Sequence, residues 1–539
     1  MNETWTVVDV VSEELARAGV THVFGLPGGE ILQLMDALRR RGIQFALFRH
    51  EAHAGVAAAV FGKLTGTVGV VLTTLGPGAS NLLLPIANSY LDREPLLAIS
   101  AQIPTHRPPL YTHQRLPLGD IFRPITKYSG AVTRANTRST IRAAVSSSMS
   151  EPMGPSYLTL SADEALEEVV SSDAESTIAP QSDGSIALLD ASAAATRLQA
   201  LLTNSERPLV LIGLGVRASS SRSIREWLNA WSLPYGVTPK AKGLVDETET
   251  AFVGVVGGMA MDRVLTDAIR HADLVIGFGL DPVEIDRTWH VELPIHWVLE
   301  APLATGILPD ANVIACRQDA LLELLIDQGP PRTWTDSFDV FRTSRWPSSA
   351  SADTGDETFL DPVLMIGELA RAMPPETIVV TDVGSHKYLF GQFWPSRLPN
   401  TFLVSNGLSA MGYGLPAAIG ARLARPEAPV LLAIGDGGFS MTSQELETAD
   451  RLGAAVIVIV LADQSYSLIR LAQESRTLPN FGVDFGPIDS VGTARSCGVP
   501  GLRAQSIEQL VTEVVAATKE SSSLVIEAPI ALDSYRGIV

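Results

Sequence analysis

The chain has 539 residues, of which 46% are hydrophobic and 18% are charged, and its formal net charge is −19. A chain of this length is expected to form about three domains, each with its own core. The negative charge argues against nucleic acids and anionic membranes as partners, because no basic stripe could neutralise phosphate groups. No stretch approaches the roughly eighteen uninterrupted apolar residues of a membrane helix, and the first residues do not resemble a signal peptide. We therefore expect a cytoplasmic protein.

Two polar segments interrupt the alternation of strand-like and helix-like sequence. Residues 171–185 and 346–357 are rich in Ser, Asp and other residues that are typical of linkers. They predict a first domain of residues 1–172, a central domain of residues 186–345 and a third domain of residues 358–539.

Taken in chain order, apolar runs predict a buried sheet in each domain. The candidate strands are residues 45–48 and 69–74 in the first domain, 208–213 and 273–279 in the central domain, and 378–382, 430–434 and 456–461 in the third. In the first domain, helices are predicted over residues 52–64 and from about Ser80. Continuous apolar runs are typical of parallel strands that are covered on both faces. We therefore expect an α/β fold of three doubly wound domains with mainly parallel sheets.

A glycine turn, Gly213-Leu214-Gly215, follows the first candidate strand of the central domain. Two glycines after a strand suggest a dinucleotide site, but the third glycine of that motif is missing and no acid ends a clear next strand. We interpret the turn as a tight strand-to-helix connection.

Two acidic residues end neighbouring candidate strands in the third domain. Asp436 follows residues 430–434 within Gly-Asp-Gly-Gly, and Asp463 follows residues 456–461. The carboxyl ends of parallel strands meet at one sheet edge, where ligands bind. Carboxylate oxygens beside a helix start suit Mg²⁺ shared with a diphosphate. A helix cap and a loop acid are the alternative interpretation of the same residues.

The segment 435–466 resembles the thiamin diphosphate signature, Gly-Asp-Gly followed about 25 residues later by Asn or Asp. The resemblance implies that the side chains of Asp436 and Asp463 and the backbone carbonyl of Ser465 hold Mg²⁺. Most members have Asn-Asn where this chain has Ala462-Asp463, and an aspartate is similar to the catabolic acetolactate synthases.

A second match lies in the first domain, where Glu51 follows Arg49-His50. The resemblance implies that Glu51 protonates the aminopyrimidine ring of the cofactor, although a glutamate in a first helical turn is otherwise a helix-dipole partner. Gln114 is the catalytic residue expected to orient the substrate. The other residues that the resemblance assigns to cofactor binding are Pro27, Gly28, Gly76, Asn81, Gly384, Ser385, His386, Gly407, Met411, Gly435, Gly437, Gly438 and Tyr466.

Taken together, these matches resemble the thiamin diphosphate enzymes, in particular flavin-free catabolic acetolactate synthases. They imply decarboxylation of a 2-oxo acid, with pyruvate as the expected substrate, and ligation to a second 2-oxo acid to give 2-acetolactate. The expected cofactors are thiamin diphosphate and Mg²⁺. The central domain reads GFGLDPVEID over residues 277–286 where flavin-containing relatives have Arg-Phe-Asp-Asp, which argues against FAD. The resemblance also implies a homodimer at least, with a homotetramer as the expected assembly.

Three alternatives stay open at this point. The same cofactor could serve a simple decarboxylase or a carboligase with an aldehyde acceptor. The central domain could belong to a flavin- or nucleotide-dependent oxidoreductase. The chain could also be a non-catalytic homologue, although Glu51, Asp436 and Asp463 are all present.

Overall fold

The computed structural model describes residues 5–108, 110–169, 188–256, 262–285, 294–300, 312–331 and 359–536, together with Leu308, Trp334 and Phe341. Both predicted linkers lie outside the described residues, so the domain boundaries stay a prediction. No helix in the described ranges is long and apolar enough to cross a membrane.

The first domain is a six-stranded parallel sheet in the order β2-β1-β3-β4-β6-β5, with helices on both faces. Its strands are β1 His22–Leu26, β2 Gln44–Leu47, β3 Gly69–Thr73, β4 Leu96–Gln102, β5 Tyr128–Val132 and β6 Pro155–Ser161. Its helices are α1 Val7–Arg17, α2 Leu32–Arg40, α3 Glu51–Thr65, α4 Pro77–Ser80, α5 Leu83–Leu91, α6 Leu118–Phe122 and α7 Thr137–Met149. The helix predicted from about Ser80 thus begins three residues earlier, as a short turn, because Pro77 is favoured in a first helical turn.

The central sheet is also parallel and has the order β12-β11-β10-β7-β8-β9. This is the strand order of dinucleotide-binding domains, with the order reversing between β7 and β10. The strands are β7 Pro208–Ile212, β8 Tyr235–Val237, β9 Phe252–Val255, β10 Leu274–Phe278, β11 Ile295–Leu299 and β12 Val313–Ala315. The helices are α8 Ala191–Thr203, α9 Ser221–Trp231, α10 Arg263–His271 and α11 Gln318–Gln328.

The third domain repeats the topology of the first, with the sheet order β14-β13-β15-β16-β18-β17. The strands are β13 Ile378–Thr381, β14 Phe402–Val404, β15 Val430–Gly435, β16 Ile457–Ala462, β17 Gly501–Arg503 and β18 Leu524–Pro529. The helices are α12 Pro362–Ala372, α13 Ser385–Phe393, α14 Gly414–Ala424, α15 Asp436–Thr442, α16 Glu445–Arg451, α17 Ser467–Ser475, α18 Ser490–Ser496 and α19 Ile507–Glu520. Three parallel six-stranded sheets confirm the predicted fold class.

The first and third domains of one chain pack closely along α3 and α14. A Cβ atom built on Gly420 would lie 2.4 Å from the carbonyl oxygen of Ala57, so only glycine permits this approach. At one end of the contact, the buried Glu445 carboxylate accepts hydrogen bonds from the amide of Arg49 (3.1 Å) and from Nδ1 of His53 (2.7 Å). This contact holds the start of α3, where Glu51 lies, against the start of α16.

Candidate functional site

Asp436 and Asp463 lie at the same edge of the third sheet. Strands β15 and β16 are adjacent and parallel, and Gly435 stands opposite Leu461 in their register. Each acid directly follows its strand, so the structure places the two side chains side by side, as their positions in the sequence predict.

Backbone amides orient both carboxylates. Asp436 accepts hydrogen bonds from the amides of Gly437 (2.9 Å) and Gln464 (2.8 Å), and Asp463 accepts one from the amide of Ser465 (3.0 Å). The Ser465 hydroxyl donates to Val483 O and to Asp484 Oδ1 (2.9 Å). These contacts fix the Ser465 side chain against the segment that contains Val483 and Asp484.

No Lys or Arg side chain neutralises the two carboxylates in the described part of the chain. Burial raises the pKa of Asp436, and burial together with the neighbouring Asp436 charge raises the pKa of Asp463 to about 6. In the described part of the chain, neither acid forms an ion pair with Lys or Arg. A buried and a half-buried carboxylate at this proximity fit a hard divalent cation, which would remove their mutual repulsion. Because the described residues contain no cluster of three His, Cys, Asp or Glu side chains, backbone and phosphate oxygens would complete the coordination.

The turn that contains Gly437 and Gly438 lies between the buried Asp382 and the partly exposed Tyr466. A Cβ on Gly438 would lie 2.5 Å from Asp382 Oδ2, and one on Gly437 would lie 2.8 Å from Cε1 of Tyr466. The Tyr466 ring is 40% exposed and meets the Phe485 ring edge-on at 5.2 Å. The two glycines thus bring the helix start close to groups that a side chain would exclude.

His386 lies against the same turn. A Cβ on Gly384 or Gly435 would lie 2.6 or 3.3 Å from its ring carbon Cε1. Burial lowers the pKa of His386 to about 4, so the ring is neutral near pH 7. Its buried Nε2 has no hydrogen-bond partner among the described residues, which is an uncommon and costly state that a ligand could relieve. Ser385, one residue earlier, shares a 2.9 Å hydrogen bond with the Ser467 hydroxyl.

Asp382 is a member of this site that our sequence analysis missed. It follows β13 immediately, it is fully buried, and burial raises its pKa to about 6. Its carboxylate accepts hydrogen bonds from the amides of Val383 (2.7 Å) and Gly412 (3.0 Å). It therefore ties the partly exposed Met411 to the glycine turn. The signal was available, because Asp382 ends an apolar run as Asp436 and Asp463 do.

A second group gathers at the carboxyl edge of the first sheet. Glu51 is 6% exposed, and its Oε2 accepts a 2.8 Å hydrogen bond from Nδ2 of Asn81. A Cβ on Gly76, which has a φ of 56°, would lie 3.0 Å from Cβ of Gln114. The structure thus brings Glu51 close to Asn81, and Gln114 close to Gly76.

Pro27 and Gly28 lie at the neighbouring strand end. Pro27 is exposed, and a Cβ on Gly28 would lie 2.5 Å from Cβ of Thr74. The Thr74 hydroxyl in turn donates a 2.6 Å hydrogen bond to Oε2 of Glu30. These contacts link the turns after β1 and β3.

Gly407 contacts the first domain at a different place from the Glu51 group. Its amide donates a 2.7 Å hydrogen bond to Asp92 of the first domain, and a Cβ would lie 2.6 Å from Cβ of Leu91. Among the described residues, no hydrogen bond or ion pair joins the Glu51 group to the Asp436 group.

The chain is similar to known proteins over most of its length. Sequence models described as the N-terminal TPP-binding, central and C-terminal TPP-binding domains of thiamine pyrophosphate enzymes match residues 5–120, 195–297 and 382–528. An acetolactate synthase of Bacillus subtilis is 30% identical over 97% of this chain and 92% of its own length. A catabolic acetolactate synthase of Raoultella terrigena is 27% identical over 97% of this chain and 94% of its own length. An acetolactate synthase large subunit of Lactococcus lactis is 30% identical over 86% of this chain and 82% of its own length.

Proposed function

Because the chain belongs to the thiamine pyrophosphate enzymes and is similar to acetolactate synthases over almost its whole length, we propose that it joins two 2-oxo acids with loss of CO₂. Pyruvate is the proposed substrate and 2-acetolactate the proposed product. Mg²⁺ and thiamin diphosphate are the proposed cofactors. The observation that carries the proposal is the pair of acids at the ends of adjacent strands, the buried Asp436 and the half-buried Asp463, which form no ion pair with Lys or Arg among the described residues.

When bound, thiamin diphosphate would supply a nucleophilic carbon for the ketone of the substrate and a cationic ring that can accept the electrons released with CO₂. Asp436, Asp463 and the carbonyl of Ser465 would hold Mg²⁺ against the diphosphate. The neutral His386, with its unpartnered Nε2, would face the same group together with Ser385.

In the first domain, Glu51 would hold a proton at a ring nitrogen of the cofactor's pyrimidine. The hydrogen bond from Asn81 fixes the orientation of that carboxyl group. Gln114, next to Gly76, would orient the substrate. Met411 would support the cofactor from the third domain, at the end of the segment that Asp382 holds.

The reaction is tested by incubating the protein with pyruvate, thiamin diphosphate and Mg²⁺ and quantifying every product. Two pyruvate molecules should yield one 2-acetolactate and one CO₂. Acetaldehyde as the sole organic product would refute the ligation step and favour a simple decarboxylase. No consumption of pyruvate, despite cofactor binding, would refute the proposed substrate.

We also propose that two chains build each site, because among the described residues no hydrogen bond or ion pair joins the Glu51 and Asp436 groups of one chain. A Glu51→Gln chain and an Asp436→Asn chain should each be inactive alone. Co-expressed, they would form hybrid dimers that contain one site with both native groups. Random pairing would then restore roughly a quarter of the wild-type activity, as the symmetry of a dimer requires. No restoration in hybrids that are confirmed by mass spectrometry would refute the shared site.

A further inference from the structure

Residues 405–411 form the segment between β14 and α14, and the first domain of the same chain holds that segment. Asp92 accepts hydrogen bonds from the amides of Gly407 (2.7 Å) and Asn406 (3.2 Å). Nearby, the Ser405 hydroxyl donates a 2.6 Å hydrogen bond to Oδ1 of Asn88. The segment thus takes its backbone position from groups that lie just before β4 of another domain.

Lys240 of the central domain balances the charge of Asp92. Its Nζ lies 3.3 Å from Oδ2 of Asp92 and 2.8 Å from Oε1 of Glu94, and it donates a 3.2 Å hydrogen bond to Val404 O. All three charged side chains are at most 2% exposed. A buried carboxylate is stable as an anion only with such a partner, so Lys240 keeps Asp92 able to accept both amide hydrogen bonds.

The third domain holds the same segment from its other side. Nζ of Lys387, next to His386, donates hydrogen bonds to Ser405 O (2.9 Å) and to the Ser409 hydroxyl (3.1 Å). The amide of Ala410 donates a 3.0 Å hydrogen bond to the Ser405 hydroxyl. Met411 follows directly, so the anchored segment determines where this side chain stands.

The structure assigns to Asp92, with Lys240 as its counter-ion, the role of a positioning residue for the segment that presents Met411. This inference rests on the proposed function, in which Met411 supports the cofactor. It adds a second task for the first domain. Each first domain would place Met411 in the site of its own chain, while its Glu51 completes the site of the partner subunit. Both sites of a dimer would then depend on the position of one first domain.

The test compares Asp92→Asn with Asp281→Asn. Asp281 also forms an ion pair between domains, 2.8 Å from Nε of Arg93, and in the described part of the chain no hydrogen bond or ion pair joins it to residues 405–411. The wild-type protein and both variants are loaded with thiamin diphosphate and Mg²⁺. The rate at which the thiazolium C2 proton exchanges with deuterium is then measured for each by NMR after acid quench. The cofactor's dissociation constant and the melting temperature are measured in parallel for all variants.

We expect Asp92→Asn to slow C2 exchange at least about tenfold, because small displacements of positioning groups are costly in rate. The dissociation constant should change less than about threefold, since the acids that hold the metal are untouched. Asp281→Asn should lower the melting temperature by about as much as Asp92→Asn does. It should leave the rate of C2 exchange within twofold of the wild type. Equal effects of the two variants on exchange would overturn the assignment, because Asp92 would then be a structural residue only.

A second variant keeps the test decisive if Asp92→Asn does not fold. Asn88→Ala removes the acceptor of the Ser405 hydroxyl without leaving a charge unpaired, and it should slow exchange in the same direction by a smaller factor. Unchanged exchange in Asn88→Ala would also overturn the proposal. Failure of the proposed function is distinguishable, because wild-type protein would then show no enhanced C2 exchange at all.

Discussion

The glycine turns after β7 and after β15 differ in how far neighbouring residues already satisfy their polar groups. After β7, the amide of Leu214 donates a 3.0 Å hydrogen bond to Oε2 of Glu284, and the amide of Gly215 donates a 2.8 Å bond to Gly279 O. After β15, by contrast, Asp436 and Asp463 lie at adjacent strand ends and form no ion pair with Lys or Arg among the described residues. The central turn is therefore satisfied within the protein, whereas the third-domain turn retains groups that a metal and a phosphate could satisfy.

This contrast teaches that glycine spacing alone does not identify a phosphate site. The central sheet has the strand order of a dinucleotide-binding domain and a Gly-x-Gly turn at its reversal point. Glu284 nevertheless places a carboxylate where that turn could offer an amide to a phosphate. The Glu284 carboxyl group occupies the amide of Leu214, so an anionic ligand at this turn would lose one of its donors.

The largest expected effect is on cofactor affinity and concerns the turn after β15, which contains Asp436. Asp436→Asn replaces a charged metal ligand by a neutral one, so affinity for thiamin diphosphate with Mg²⁺ should fall at least about 100-fold. Isothermal titration calorimetry measures this loss. The control is Asp450→Asn, which changes an exposed aspartate on α16 and should leave the affinity unchanged. Wild-type affinity in Asp436→Asn would remove the basis of the contrast.

The next largest effect is on the stability of the protein and concerns the turn after β7, which contains Gly213. A Cβ on Gly213 would lie 2.5 Å from Cα of Leu280 and 2.6 Å from Gly279 O, which are backbone atoms with little freedom to move. Gly213→Ala should therefore destabilise the protein by about 1–3 kcal/mol while leaving cofactor affinity intact. Chemical denaturation and cofactor titration test the two halves of this prediction. Gly367→Ala, in α12 with open space around it, should show no loss of stability.

A smaller effect depends on pH. Burial raises the pKa of Glu284 to about 8, from an ordinary value near 4.5, so the folded protein holds a proton that the unfolded chain releases. This stabilisation is complete below about pH 4.5 and is lost as the pH rises through about 8. Between pH 6 and 9 the wild type should lose on the order of 2–3 kcal/mol more than Glu284→Gln. Parallel slopes for the two proteins would show that Glu284 is ionised throughout.

The smallest expected effect is the absence of a response. FAD and NAD should each shift the melting temperature by less than about 1 °C, because Glu284 and Gly279 already accept hydrogen bonds from the amides of Leu214 and Gly215. The purified protein should be colourless. Thiamin diphosphate with Mg²⁺ should raise it by several degrees. A large shift with either dinucleotide would mean that Glu284 moves away on binding and that the two turns are equivalent.

The sequence predicted the parts of the structure that depend on local pattern. Apolar runs identified buried strands in all three sheets, and an acid after each of two such runs predicted the proximity of Asp436 and Asp463. Asp382 follows the same pattern, but its role depends on the amide of Gly412, thirty residues away. The amides of Asn406 and Gly407 bond to Asp92, more than 300 residues earlier in the chain. Pairings of this kind follow from the docking of domains and leave no periodic signal.

The contact between α3 and α14 has a consequence for the synthesis of the chain. Helix α3 is buried along most of its length, partly by α14, which lies in the third domain. A ribosome adds roughly 5–20 residues per second, so the apolar surface of α3 would wait on the order of tens of seconds for its partner. We expect the nascent first domain to be the stage at which chaperones are most needed, and pulse-labelled ribosome–nascent-chain complexes would show whether their binding ends when residues 414–424 emerge.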